Sequence, residues 1–223
     1  MENFDNESQS DNNWDDHNWE SAWNEFDWER YLKSEDNEVL KYQKLYSKLV
    51  KSQNRLDEVA LYMGWDSANL PEQTSIDSSS GQQLENSEAP YTLHRHPLFI
   101  ASKALHSWLQ EKWMQHSSLA SQYISPELAL KLSSSFSQSD YQGLLAVMAL
   151  DMGDYALAIA YLKRGMASIN DSFAALEEIS QLEIEPLPRY VTQAKIRLFD
   201  IRDIWLRVVA DCRAAVAKKS EEE

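Results

Sequence analysis

Residues 154–182 read DYALAIAYLKRGMASINDSFAALEEISQL, and the choice of fold turns on them. Just ahead, Gly153-Asp154 pairs a residue that tolerates the left-handed backbone of a helix end with one whose carboxylate accepts from the free amides of the next start. Apolar residues then fall at Ile159, Leu162, Met166, Ile169, Phe173 and Leu176, in alternating steps of three and four. That spacing lays one stripe along a helix of about eight turns. It is a packing signal and carries no chemistry.

Working outward, the same grammar recurs. Ser125-Pro126-Glu127 is a helix start, since serine caps, proline suits the first position and glutamate the first turn. From there to Met152 the chain reads as one helix or two, with a weak centre at Ser133 to Ser139. One kinked or interrupted helix is expected, because bundles pack best with matched lengths. Pro186 and Pro188 break the chain, and a last helix is expected from Arg189 to about Lys219. Its stripe is Val191, Ala194, Leu198, Ile201, Trp205, Val208, Cys212 and Ala215. His96-Pro97 opens a further helix to about His116, turning Leu98, Ala101, Leu105, Trp108 and Leu109 inward. Residues 93–219 thus predict an all-α, up-and-down bundle of about four helices.

Leu150-Asp151-Met152-Gly153-Asp154-Tyr155, followed by Ala158 and Ile159, resembles the middle of a tetratricopeptide repeat. The likeness covers about thirty residues. A repeat needs a helix break near Ile169-Asn170-Asp171 and further copies at a period of about 34, but the stripe passes from Met166 to Phe173 in phase and no second copy occurs. A tight αα-hairpin inside a bundle is therefore expected.

Ahead of the bundle, residues 66–92 hold five acids, six serines, Pro71, Pro90 and Gly81 without a lysine or arginine. Such a segment buries too little to offset its ordering entropy and reads as a flexible linker. Residues 31–65 read as one long amphipathic helix, with Ser34 as its cap and Glu35 and Asp36 in its first turn. Its stripe runs Val39, Tyr42, Tyr46, Leu49, Gln53, Leu56, Ala60 and Met63, spaced as in a coiled-coil seam. That leaves two fates for it: packing on the bundle, or pairing with a second copy in a homo-oligomer. Lys41, Lys44, Lys48, Lys51 and Arg55 make its middle basic, as a solvated face or as a seat for the acidic tail.

Residues 1–30 carry ten acids against Arg30 alone, so −9 of the chain's −15 resides there. The same segment holds Trp14, Trp19, Trp23, Phe26 and Trp28, with almost no aliphatic residues to build a core of its own. Trp19, Trp23 and Phe26 are spaced to share a helical face. The segment is expected to be a disordered acidic tail that binds a protein partner through these five aromatics, or else a lid on the chain's own body.

An acidic chain of pI near 4.7 lacks the basic footprint that nucleic acid or an anionic membrane surface demands. No apolar run long enough to span a bilayer and no secretion signal are present, so a cytoplasmic setting is expected. The one cysteine, Cys212, sits in a helix stripe as a small hydrophobe. His94, His96 and His106 would be the ligands of a metal or cofactor site, yet no carboxylate or histidine lies one turn from His106 and no Glu-x-x-His occurs. No phosphate loop, nucleophile elbow or cysteine pair is present. The expectation is a non-enzymatic interaction or adaptor protein without cofactor or metal, using the acidic aromatic segment and helix 34–65. A ligand- or metal-binding bundle, possibly an enzyme, is the alternative.

Overall fold

The computed structural model describes residues 23–65, 93–182, 184, 185 and 187–222, so the linker over 66–92 and most of the acidic tail lie outside the described residues. The chain is all-α. Among the described residues six α-helices run in order: α1 Glu25–Leu49, α2 Arg55–Tyr62, α3 Pro97–Leu119, α4 Pro126–Asp151, α5 Tyr155–Ser180 and α6 Leu187–Glu222, with one 3-10 turn at Leu93–Arg95. No strand occurs among the described residues. The chain divides into two units, one up to Ser34 and the other from Glu35 onward.

Helices α3 to α6 form a helical bundle whose neighbours are antiparallel. Between α3 and α4, Lys103 meets Asp140, His106 meets Ser139 and Trp113 meets Ser133, numbers falling on one helix as they rise on the other. Lys131 with Glu178 and Ser135 with Ser172 do the same for α4 and α5. Lys195 with Glu177 and Phe199 with Phe173 join α5 to α6. Trp205 with Ser102 and Tyr190 with the Leu109 carbonyl close α6 back on α3.

The helix starts expected at Asp154 and Ser125 hold. Asp154 accepts from Leu157 N at 2.9 Å, Gly153 sits at φ 73°, and Ser125 accepts from Leu128 N at 3.2 Å. Helix α5 runs unbroken through Asn170 and Asp171, both exposed. Its buried face, however, is turned from the stripe toward small residues. Ala158, Gly165, Ser168, Ser172 and Ala175 are buried, while Ile159, Met166 and Phe173 are half-buried. With Gly143, Ala146 and Ala149 on α4 they give α4 and α5 the most extensive close backbone approach in the bundle.

Three expectations are corrected. Helix α4 is continuous, because its weak-looking serines are tied down: Ser133 and Ser135 bond back to the carbonyls of Ala129 and Leu132, and Ser135 and Ser139 bridge to α5 and α3. Helix α6 begins at Leu187 with Pro188 inside its first turn, where a missing N–H costs nothing. The single helix expected over 31–65 is two. Helix α1 starts nine residues before Ser34 and stops at Leu49, and α2 begins at Arg55. At the break Ser52 N bonds to Leu49 O at 2.8 Å, and Ser52 Oγ bonds to Glu58 Oε1 at 2.6 Å. Gln53 is an exposed turn residue rather than a stripe member.

From Glu35 to Trp65 this pair of helices lies on the bundle. Tyr42, Tyr46, Val59 and Met63 join its core, Trp65 stacks on Tyr42 at 5.7 Å, and Gln43 donates to the Ala104 carbonyl at 2.9 Å. The seam that resembled a coiled coil is thus spent within the chain.

Trp205 is the centre of the bundle. It is fully buried, and it fits only because α4 and α5 present glycines to it. A Cβ on Gly143 would stand 3.0 Å from the indole, and one on Gly165 only 2.5 Å from it. Its Nε1 donates to Ser102 Oγ at 3.0 Å, satisfying the indole's one polar atom.

Candidate functional site

Trp14 and Trp19 lie outside the described residues; Trp23, Phe26 and Trp28 stand at the start of α1. Asn24 caps that helix: its Oδ1 accepts from Phe26 N at 2.9 Å and Asp27 N at 3.1 Å, while Asp27 Oδ2 accepts in return from Asn24 N at 3.3 Å. This reciprocal arrangement is a capping box. Trp23, just before the cap, folds onto Trp28 one turn into the helix, at 5.0 Å between ring centroids. An apolar staple of this kind fixes the angle at which the chain enters the helix. Tyr31 completes the cluster, 5.3 Å from Trp23 and 6.0 Å from Trp28. The expected face of Trp19, Trp23 and Phe26 is replaced, for its described members, by this trio, and Phe26 stays outside it, 66% exposed. Trp28 remains 38% exposed despite its neighbours. The segment therefore presents two large aromatics beside Glu25 and Glu29, both exposed, on a preformed helical start.

The second unit carries a buried charge cluster that no helical periodicity marks. Asp200, on α6, is 4% exposed and accepts from Arg55 Nε at 2.6 Å, Arg55 Nη2 at 2.5 Å and the Tyr46 hydroxyl. One carboxylate so joins α1, α2 and α6. Burial, then the neighbouring carboxylate, pushes the Tyr46 phenol well above its ordinary range, so it remains the donor. Arg197, one turn back on α6, is buried and, among the described residues, has no carboxylate in direct contact. Its guanidinium lies 3.4 Å above the Trp108 ring and 5.2 Å from that of Tyr46, and Nη1 donates to the Gln193 carbonyl at 3.1 Å. Burial lowers Arg197 to about 10, still charged at neutral pH, and the aromatic faces supply part of the lost solvation. A polar cleft of about 300 Å³ opens beside this cluster, where Arg207 bridges Asp57 and Asp203.

His96 and His106 are committed elsewhere. His96 caps α3, its Nδ1 accepting from Leu98 N at 3.1 Å. His106 is fully buried, with Nδ1 at 2.8 Å from the Ser102 carbonyl and Nε2 at 3.0 Å from Ser139 Oγ. A carbonyl only accepts, so Nδ1 carries the proton and Nε2 accepts from the serine. Desolvation lowers the pKa of His106 and holds it neutral. With Asp140 3.8 Å from Nδ1, the set Ser139, His106 and Asp140 has the composition of a nucleophilic triad. Two facts oppose that use. The Nδ1 proton is directed to Ser102 rather than to the carboxylate, and Ser139 is wholly inaccessible. Asp140 instead pairs with Lys103 at 3.1 Å in a cleft of about 510 Å³ between α3 and α4, lined also by Phe99, Gln110, Tyr141 and Leu144. The side chain of His94 lies outside the described residues. Among those described, no three His, Cys, Asp or Glu side chains gather as a metal would require.

The aromatic content of the tail marked Trp23, Phe26 and Trp28. Nothing marked Arg197, Asp200 or His106 as core residues. The one available signal was their adjacency to Leu198, Ile201 and Leu105, which widens the apolar arcs of α6 and α3. No helix among the described residues is long and apolar enough to cross a membrane. In comparison with known proteins, the chain matches no family model, no curated protein and no solved structure.

Proposed function

We propose that this is a non-enzymatic interaction protein: an up-and-down four-helix bundle, braced by α1 and α2, whose acidic aromatic N-terminal segment engages a protein partner. The observation that carries this is the capped start of α1. There Phe26 and Trp28 remain open beside Glu25 and Glu29 although a tryptophan staple already orders the turn. Large aromatics that stay exposed on a preordered element are the anchors on which interfaces concentrate their energy. The buried charged groups Asp200 and Arg197 are spent instead within the core, on Arg55, Tyr46 and Trp108. The aromatic stripe of helix 34–65 serves the chain's own core, so whatever that helix adds to partner capture falls to its solvent-facing side.

The test is retention of partner by full-length chain against Trp23→Ala/Phe26→Ala/Trp28→Ala, with far-UV circular dichroism on both. Lost retention with unchanged helicity supports the proposal. Equal retention by the two chains refutes it. Loss of bundle stability in the variant assigns the aromatics a structural role instead.

A further inference from the structure

The outward side of α1 carries a second feature that the interaction reading leaves unused. Lys41, Lys44 and Lys48 are all exposed, three or four residues apart on the helix, and so share a face, and Lys51 is exposed just past its end. No Asp or Glu occurs from Val39 to Leu56, in a chain of net charge −15. Among the described residues only Lys41 of the four meets a carboxylate, Glu38 at 3.5 Å. Arg55, the next base, is consumed by Asp200. The result is a lysine stripe with little of its charge compensated. Its margin is apolar, since Leu40 is 48% exposed and Leu45 is half-buried.

We infer that this stripe is the seat of the acidic segment, residues 1–22, of a second copy of the chain. That segment carries seven Asp or Glu and no Lys or Arg, together with Trp14 and Trp19, so it complements both the charge and the apolar margin. Polyphosphates and anionic membranes fit less well. They require a broad basic footprint, whereas this one is a single helix wide and the rest of the chain repels polyanions. A short acidic peptide feels mainly what lies within a screening length, about 8 Å at physiological salt, and there the stripe dominates. Each copy offers one segment and one stripe, so two copies that exchange segments satisfy both stripes and close as a two-fold dimer with the same contact made twice. This deepens the proposed function by naming a partner, and it rests on the N-terminal segment being a capture element.

Sedimentation of the full chain at 50 mM and 500 mM salt reads it directly. Dimer is expected at low salt, with association weakened by roughly tenfold or more at high salt. Lys44→Glu/Lys48→Glu should be monomeric, as should Asp15→Lys/Asp16→Lys. An equimolar mixture of these two variants should recover a dimer, because each then presents the charge the other lacks. A chain that is monomeric at low salt overturns the inference, as does a dimer indifferent to these substitutions, or a mixture that stays monomeric. If a monomer still retains a different protein through Trp23, Phe26 and Trp28, the inference fails and the proposed function stands. If the aromatic variant retains its partner while the charge-swapped mixture dimerises, the aromatic role in capture fails and the lysine seat stands.

Discussion

Replacing Asp200 by Asn tests what holds α1 and α2 to the bundle. The substitution keeps the shape and removes the charge. It deprives Arg55 of a bidentate ion pair and turns one acceptor oxygen into an amide donor facing the Arg55 fork or the Tyr46 hydroxyl. Removing one partner of a fully buried pair costs about 3–5 kcal/mol. Here the Arg55 side chain is 23% exposed and can turn to water, so the lower end applies, and about 3 kcal/mol is expected. Because Tyr46, Arg55 and Asp200 form one network, Arg55→Ala and Asp200→Asn should not add: their coupling should reach about 1–2 kcal/mol. Urea unfolding gives the total, and native-state hydrogen exchange gives its distribution. Protection should fall first in α2 and the adjoining part of α1, before the amides of α4 and α5. A loss below about 0.5 kcal/mol, within the range of ordinary surface substitutions, would refute the assignment of Asp200 as the tie. So would a loss spread evenly over all helices.

Further predictions concern the bundle centre and the cap. Gly165→Ala should destabilise by about 2–3 kcal/mol and Gly143→Ala by less, since the added Cβ meets the rigid indole of Trp205 at 2.5 Å in the first case and 3.0 Å in the second; thermal melts of the two would decide the order. His106 is held neutral by burial, so its folded pKa lies below its unfolded value of 6.5. As pH falls through 6.5 the unfolded chain takes up a proton that the folded chain refuses, and stability drops by up to about 1.4 kcal/mol per pH unit until the folded pKa is reached. Urea midpoints between pH 7 and pH 5 should therefore fall less steeply in His106→Gln than in the parent, His96 and His116 supplying the slope that remains. Asn24→Ala removes the cap of α1 and should cost that helix start about 1 kcal/mol, read as faster exchange of the Phe26 and Asp27 amides.

Much of the fold was legible because local rules and packing agree in this chain. Ser125, Asp154 and Gly153 act where one residue's backbone geometry decides, and no distant contact competes with them. The stripes of α3 and α6 named most of their core. The break at Ser52 was not legible, because Gln53 and Leu56 keep the three-four rhythm across a turn whose hydrogen bonds come from Ser52 and Glu58. The start of α1 at Glu25 was also missed. Acid-rich composition spoke for a tail, while the capping box and tryptophan staple that order it depend on side-chain geometry.

By itself, then, the sequence determined the all-α class, the places where α3, α4 and α5 begin, and the concentration of acid and tryptophan in the first thirty residues. Periodicity and capping are properties of short stretches, and charge needs only counting. The tertiary structure alone decided that Asp200, Arg197 and His106 are interior residues, that Gly143 and Gly165 exist to admit Trp205, and that the tyrosine stripe of α1 is consumed within the chain. A charged or small residue acquires such a role from the helix that comes to lie beside it, and that neighbour is set by the packing of segments more than a hundred residues apart for Arg55 and Asp200.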